Sequence, residues 1–152
     1  MAFLVVRVRG TIHSKHEIQE TLRFLHLTRA NHATVVPEVP EYRGMLIRAQ
    51  GYITWGETDA ATVALLLKER GVTEKGERVN EASLGTELPA KDLGALTESV
   101  LQTGIVPVPG LRPLFRLKAP KGGWRSTKKP FGLGGALGYR GSAINDLVRR
   151  MV

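Results

Sequence analysis

The sequence predicts an α+β fold, and three features carry that prediction. Runs rich in β-branched residues at Ala2 to Arg9, Thr34 to Val36 and Tyr52 to Trp55 suit strands. Between them, apolar residues fall at helical spacing, first Ile18, Leu22 and Leu25, then Met45, Leu46 and Ala49. Prolines and glycines punctuate the joins, so residues 1–56 read β-α-β-α-β. Short crossovers of this kind give a small sheet with helices on one face, the ferredoxin-like type of layered packing. Periodicity alone leaves the strand order open.

Each element has a local reason. The first strand carries apolar residues continuously from Phe3 to Val6, as expected where both faces are partly covered. Gly10-Thr11 breaks it, and Ser14-Lys15-His16-Glu17 forms a capping box for the first helix. A polar connection, Thr28 to His32, leads to the second strand, which Pro37 and Pro40 stop because proline cannot donate to a ladder. A helix follows from Tyr42, with Gly51 placed to cap it, and the chain resumes as a strand to Trp55.

Beyond residue 56 the sequence predicts an extension over 57–152, packed on the core. It carries helices at about 59–70, 92–103 and 142–151. Thr58 or Asp59 caps the first, Gly104 closes the second, and Ser142 caps the third, whose Ile144, Leu147, Val148 and Met151 share a face. Residues 72–89 read as a charged loop with at most a helical turn, and Leu114 to Lys118 as a fourth strand. Residues 119–141 are rich in Gly, Lys and Arg without a period and predict a loop held at both ends.

The segment Val36-Pro37-x-x-Pro40-x-x-Arg43-Gly44-Met45-Leu46, with a strand on each side, resembles the signature of large-subunit ribosomal protein thirty, called protein seven in eukaryotes. The resemblance covers Met1 to about Trp55. The long extension and the lack of a basic N-terminal arm resemble the archaeal branch of that family. The resemblance implies a three-stranded antiparallel sheet, an RNA-facing helix around Arg43, and contact with large-subunit ribosomal RNA near the 5S RNA. It supplies no motif for C-terminal RNA contacts.

Charge divides the chain unevenly. Residues 1–109 hold 12 Lys+Arg against 13 Asp+Glu, whereas residues 110–152 hold 10 Lys+Arg against Asp146 alone. That asymmetry is the footprint of a polyanionic partner, nucleic acid first and anionic membrane second. With no cysteine there is no disulfide and no thiolate chemistry. No run of apolar residues is long enough to span a membrane, and MAFLVVRVRG reads as a strand and not as a signal peptide. A cytoplasmic setting is the simplest expectation.

The segment Ala119 to Gly141 is the strongest functional feature. Lys118, Lys121, Arg125, Lys128, Lys129 and Arg140 interleave with Trp124, Phe131 and Tyr139. Cations neutralise phosphates and aromatic rings stack on unpaired bases. A solvated loop pinned by its aromatics is the alternative. Arg112 and Arg116 extend the basic region at its start. Arg7 and Arg9 lie on one face of the first strand, forming a basic edge if that face is open. Arg29 and His32 in the polar connection are further candidates, with an ordinary loop role for His32 as the alternative. Arg43 matches the family motif, a structural salt bridge being its other reading. Arg48 is a candidate too, although five helical positions put it about 140° away from Arg43.

Other chemistries find little support. The glycine clusters match neither the P-loop nor the dinucleotide fingerprint. His13, His16, His26 and His32 lack the spacing of a metal site, and Glu17/Glu20 and Glu38/Glu41 have no nucleophile or base partner. Charge and the absence of a catalytic set predict a non-catalytic polyanion-binding protein, and the resemblance implies that it is a ribosomal-RNA-binding constituent of the large ribosomal subunit. It is expected to be a monomer beside neighbouring ribosomal proteins, with no cofactor, no metal, no membrane contact and no small-molecule substrate. The alternatives are a small-molecule-binding regulatory domain of ferredoxin-like fold and an RNA-modifying enzyme.

Overall fold

The structure, a computed structural model, describes residues 2–10, 12, 14–80, 84, 88, 91–105 and 107–152. Strand β1 (Ala2–Arg7) lies at the centre, antiparallel to β2 (His32–Pro37) on one side and to β3 (Ile53–Glu57) on the other. Val5 stands opposite Thr34 in one register and Trp55 in the other. This is the antiparallel trio expected for a ferredoxin-like core. Further strands extend it to a six-stranded sheet of order β4-β2-β1-β3-β6-β5.

Alternation of side chains explains why β1 is apolar throughout. Phe3 and Val5 point to one face. There they pack with Leu22 and Leu25 from α1 (His16–Phe24), Leu46 and Ala49 from α2 (Pro40–Arg48) and its C-cap, and Ile53 and Trp55 from β3. Ala2, Leu4 and Val6 point to the other face. That face is covered by Val63, Leu66 and Leu67 of α3 (Ala60–Arg70), Leu96 and Val100 of α4 (Leu93–Thr103), and Ile144, Leu147, Val148 and Met151 of α5 (Ala143–Met151). Only the first two helices lie on the face that the β-α-β-α-β reading anticipates; the extension builds a third layer.

Several local expectations shift. The N-cap of α1 is Lys15, without a side-chain hydrogen bond, so the Ser14–Glu17 capping box is not formed. Instead Gln19 Nε2 donates to Ser14 Oγ at 3.1 Å. Helix α2 begins with Pro40 in its first turn, where the missing N–H is harmless, and its C-cap is Ala49 rather than Gly51. Strand β1 ends at Arg7, because Val8 and Arg9 both donate to the Tyr52 carbonyl, at 2.8 and 3.2 Å. Of the two candidate caps of α3, Asp59 is the one, accepting from Thr62 N at 2.7 Å. Asp92 caps α4 in the same way through Ala95 N, at 2.7 Å. Ser142 precedes α5 but makes no side-chain cap bond.

The largest difference lies in residues 119–141, which do not form an irregular loop. They contain β5 (Ser126–Pro130) and β6 (Gly135–Tyr139), separated by a 3-10 turn over Phe131–Leu133. Strand β6 runs parallel to β3, pairing Thr54 with Gly138 and Trp55 with Tyr139. The Thr54 hydroxyl donates to the Gly138 carbonyl at 2.8 Å, and Arg140 N donates to Trp55 O at 2.9 Å. Ala136 and Leu137 are buried against Val8 and Trp124. Sheet docking thus overrides the poor strand propensity of Gly-Ala-Leu-Gly-Tyr.

Close backbone approach makes this docking possible. A Cβ on Gly56 of β3 would stand 1.8 Å from the Gly141 carbonyl oxygen. Next to it, buried Asn145 of α5 is fully hydrogen-bonded. Its Nδ2 donates to Glu57 O at 3.2 Å, and its Oδ1 accepts from Thr58 Oγ1 at 3.2 Å and Asp59 N at 3.3 Å. On the opposite flank β4 (Phe115–Arg116), shorter than the predicted Leu114–Lys118, pairs with His32 and Ala33 of β2.

Candidate nucleic-acid interface

The structure gathers the sequence-predicted residues into three groups. The first lies where β4 meets β2. Residues His32 and Arg116 are paired across the ladder, and Arg29 precedes β2 in the same turn. Arg29 and Arg116 are exposed and His32 is half-buried. Burial, then the charges of Arg116, Arg29 and Arg7, hold the His32 imidazole below its usual pKa. At neutral pH it is therefore an uncharged hydrogen-bonding group beside two surface guanidiniums.

The second group lines a groove of about 230 Å³ formed by Phe3, Arg43, Ile47, Trp55, Glu57 and Tyr139. Arg43 is exposed, yet it makes the salt bridge that was its alternative reading, with Nη2 on Glu38 Oε1, and it lies 5.6 Å from the Phe3 ring centroid. Tyr139 donates its hydroxyl to Glu57, which raises its pKa and keeps the phenol neutral. Ile47, which carried no sequence signal beyond its helix, is 59% exposed in this groove. Arg48 lies instead in a separate groove between α1 and α2 with Glu17, Glu20, Phe24 and Met45, as the angular separation on the helix predicts.

The third group lines a cleft of about 250 Å³ between the β5–β6 segment and α5. Trp124, Arg125, Phe131 and Arg140 face Asp146, Leu147 and Arg150 across it. Arg140 is half-buried and firmly held, donating to Thr54 Oγ1 at 2.7 Å and Ala136 O at 2.8 Å, with its guanidinium 4.8 Å from the Phe131 ring centroid. Burial lowers its pKa to about 10, with Arg150 and Arg125 adding like-charge repulsion. Arg150 was missed by sequence reasoning. The signal was present in Ala143, Asp146, Leu147 and Arg150, a second helical stripe beside the apolar one.

The remaining candidates are dispersed. Lys128 and Lys129 stand exposed on β5. Lys118 and Lys121 are exposed, and their backbone N–H groups tie the chain to the end of α5 by donating to Met151 O and Arg150 O. Arg112 is half-buried near the turn at Gly76. Arg9 lies over the Tyr52 ring, 5.3 Å from its centroid. Arg7 corrects the expectation of a basic edge on β1. It is 3% exposed, and its guanidinium donates to Leu27 O at 2.7 Å and Arg9 O at 2.9 Å. It is a buried brace between β1 and the turn that follows α1, held by backbone carbonyls.

His16 Nε2 lies 3.0 Å from Glu20 Oε1 one helical turn on, and His13 lies outside the described residues. Among the described residues no cluster of three His, Asp or Glu is arranged to hold a metal, and no helix is long and apolar enough to cross a membrane.

The basic and aromatic surface thus comes mostly from the extension, while the motif around Arg43 sits on the core, and the comparisons cover both. Residues 3–53 match the family model for ribosomal protein L30p/L7e. The large ribosomal subunit protein uL30 of Methanosphaera stadtmanae is 40% identical over 151 residues, covering 99% of each chain. That of Methanopyrus kandleri is 42% identical over 149 residues, covering 95% of this chain and all of the relative. That of Methanococcus vannielii is 40% identical over 155 residues and spans both chains fully. Similarity that runs from β1 through α5 leaves one assignment: this chain belongs to the L30p/L7e family of ribosomal proteins.

Proposed function

We propose that this protein is a structural constituent of the large ribosomal subunit that binds ribosomal RNA without catalysis. It acts as a monomer on the cytoplasmic ribosome. The observation that carries this reading is the full-length similarity to proteins named as large-subunit components, basic extension included. The charge distribution supports it, because the excess of cations lies in residues 110–152, on β4, β5 and the segments around them. Phosphate neutralisation by such groups gives affinity, and register comes from the fixed framework that presents them. Arg29, His32 and Arg116 form one contact surface, Arg43 with Tyr139 a second, and Lys128 and Lys129 a third. The 5S RNA region and neighbouring ribosomal proteins are the expected surroundings of these surfaces.

Sedimentation of native extract at rising salt tests the reading. Co-migration with the large-subunit peak through moderate salt, weakened by K121A/R125A/K128A/K129A, is the expected result. A protein that stays at the top of the gradient at low salt refutes it.

A further inference from the structure

The cleft between the β5–β6 segment and α5 brings three arginines together, Arg125, Arg140 and Arg150. Arg140 is committed to Thr54, Ala136 and the Phe131 ring. Arg125 and Arg150 have no hydrogen-bond or ionic partner for their guanidiniums among the described residues. The acid in the cleft, Asp146, is paired with Arg149 at 3.3 Å. Like charges converging on a concave surface destabilise the free protein unless an anion enters between them. The walls beside them are aromatic: Trp124 is half-buried and Phe131 is 37% exposed, its ring fixed by the Arg140 guanidinium. Gly122 and Gly123, both at positive φ (83° and 74°), turn the chain so that Trp124 and Arg125 face α5.

Anion attraction and a π surface in the same small cleft describe a nucleotide. At about 250 Å³ the space is smaller than the roughly 300–1,000 Å³ of clefts that take drug-sized ligands. It has room for no more than one nucleotide unit, part of which stays outside the cleft. Bases offer their faces to aromatic side chains only when they are out of the helical stack. We propose that this cleft captures one unpaired nucleotide of an RNA strand, its phosphate between Arg125 and Arg150 and its base on the Phe131–Trp124 wall. The proposal rests on the RNA-binding reading above and goes further, naming single-stranded RNA as the substrate of this cleft.

Tryptophan emission tests it on the full-length protein, because Trp124 lines the cleft whereas the other tryptophan, Trp55, is 7% exposed in a different groove. The probes are a single-stranded hexaribonucleotide, a duplex of the same composition and inorganic phosphate. The single strand should quench emission, and W124F should abolish that signal. R125Q/R150Q should raise its Kd about tenfold, corresponding to about 1.4 kcal/mol. K15Q/R23Q removes the same charge from exposed positions at α1, outside every proposed contact surface, and should raise it less than about threefold. F131L, which keeps an apolar side chain and removes the ring, should weaken the single strand alone. Equal quenching by the duplex, or equal losses in the two double variants, would overturn the proposal. Sedimentation of R125Q/R150Q separates the two readings. Retained incorporation with unchanged oligonucleotide affinity rejects the cleft alone, whereas wild-type protein absent from the large subunit rejects the ribosomal reading itself.

Discussion

Replacing Gly56 by alanine probes the seam that attaches the extension to the core. The new Cβ would stand 1.8 Å from the Gly141 carbonyl oxygen, where ordinary contact begins at 3.4 Å, so the two backbones must separate by about 1.6 Å. Both atoms belong to backbone, so no rotamer change relieves the overlap. Opening the seam breaks the Arg140 N–H bond to Trp55 O and the Asn145 Nδ2 bond to Glu57 O. Overpacking costs about 1–3 kcal/mol and each lost hydrogen bond about 1 kcal/mol, so the expected destabilisation is about 4 kcal/mol. For a chain of this size that lowers Tm by about 8–16 °C. Thermal unfolding followed by circular dichroism measures it. A Gly56→Ala protein melting within about 2 °C of the parent would show that β6 and α5 do not dock on β3 as described.

Gly44→Ala should act in the opposite sense. Nothing lies within 4 Å of the added Cβ on α2, so the free protein should gain about 0.5–1 kcal/mol in a denaturant titration. If incorporation into the subunit nevertheless falls, Gly44 is a point of close RNA approach. Asp59→Ala removes the cap of α3 and should cost about 1 kcal/mol at pH 7, read from the same titration. Hydrogen bonds from Thr62 are the leading cause of the lowered Asp59 pKa. The Asp59 contribution is therefore present above the ordinary aspartate pKa of about 3.9 and lost as pH falls through the lower folded value, so parent and variant should converge in acid. Arg7→Met leaves the Leu27 and Arg9 carbonyls without their buried donor and should cost about 1–3 kcal/mol in a thermal melt. RNA affinity per folded molecule should not change.

The core was legible because its periods are clean. Continuous apolar residues in β1, the double proline after Val36 and the i, i+4, i+7 stripe of α1 each have one good solution. Strand order was not legible, since pairing depends on contacts between residues far apart in sequence. The 119–141 segment defeated local reasoning for a related cause. Its glycines argue against strand, and only backbone contacts seen in the fold show why they fit: a Cβ on Gly135 would stand 1.9 Å from the Lys129 carbonyl oxygen, and one on Gly56, distant in sequence, 1.8 Å from that of Gly141. Site residues divided along the same line. Composition identified the basic and aromatic residues, but not that Arg7 would turn inward to Leu27 or that Arg150 would join Arg125 and Arg140. Arg43 kept both of its readings, exposed on α2 and bonded to Glu38.

The position of β5 has a consequence before any RNA is met. A three-stranded sheet of β2, β1 and β3 alone would leave two outer strands with unpaired backbone groups, templates for another copy of the chain. Here β4 covers one side and β6 the other, and what remains at the rims is a two-residue strand and the sequence Ser-Thr-Lys-Lys-Pro. Short length, adjacent lysines and a proline each discourage strand addition. Lys128 and Lys129 thus repel a second copy of this chain with the same charges that the proposed RNA contact uses. Newly made protein is guarded against self-association until the subunit takes it up.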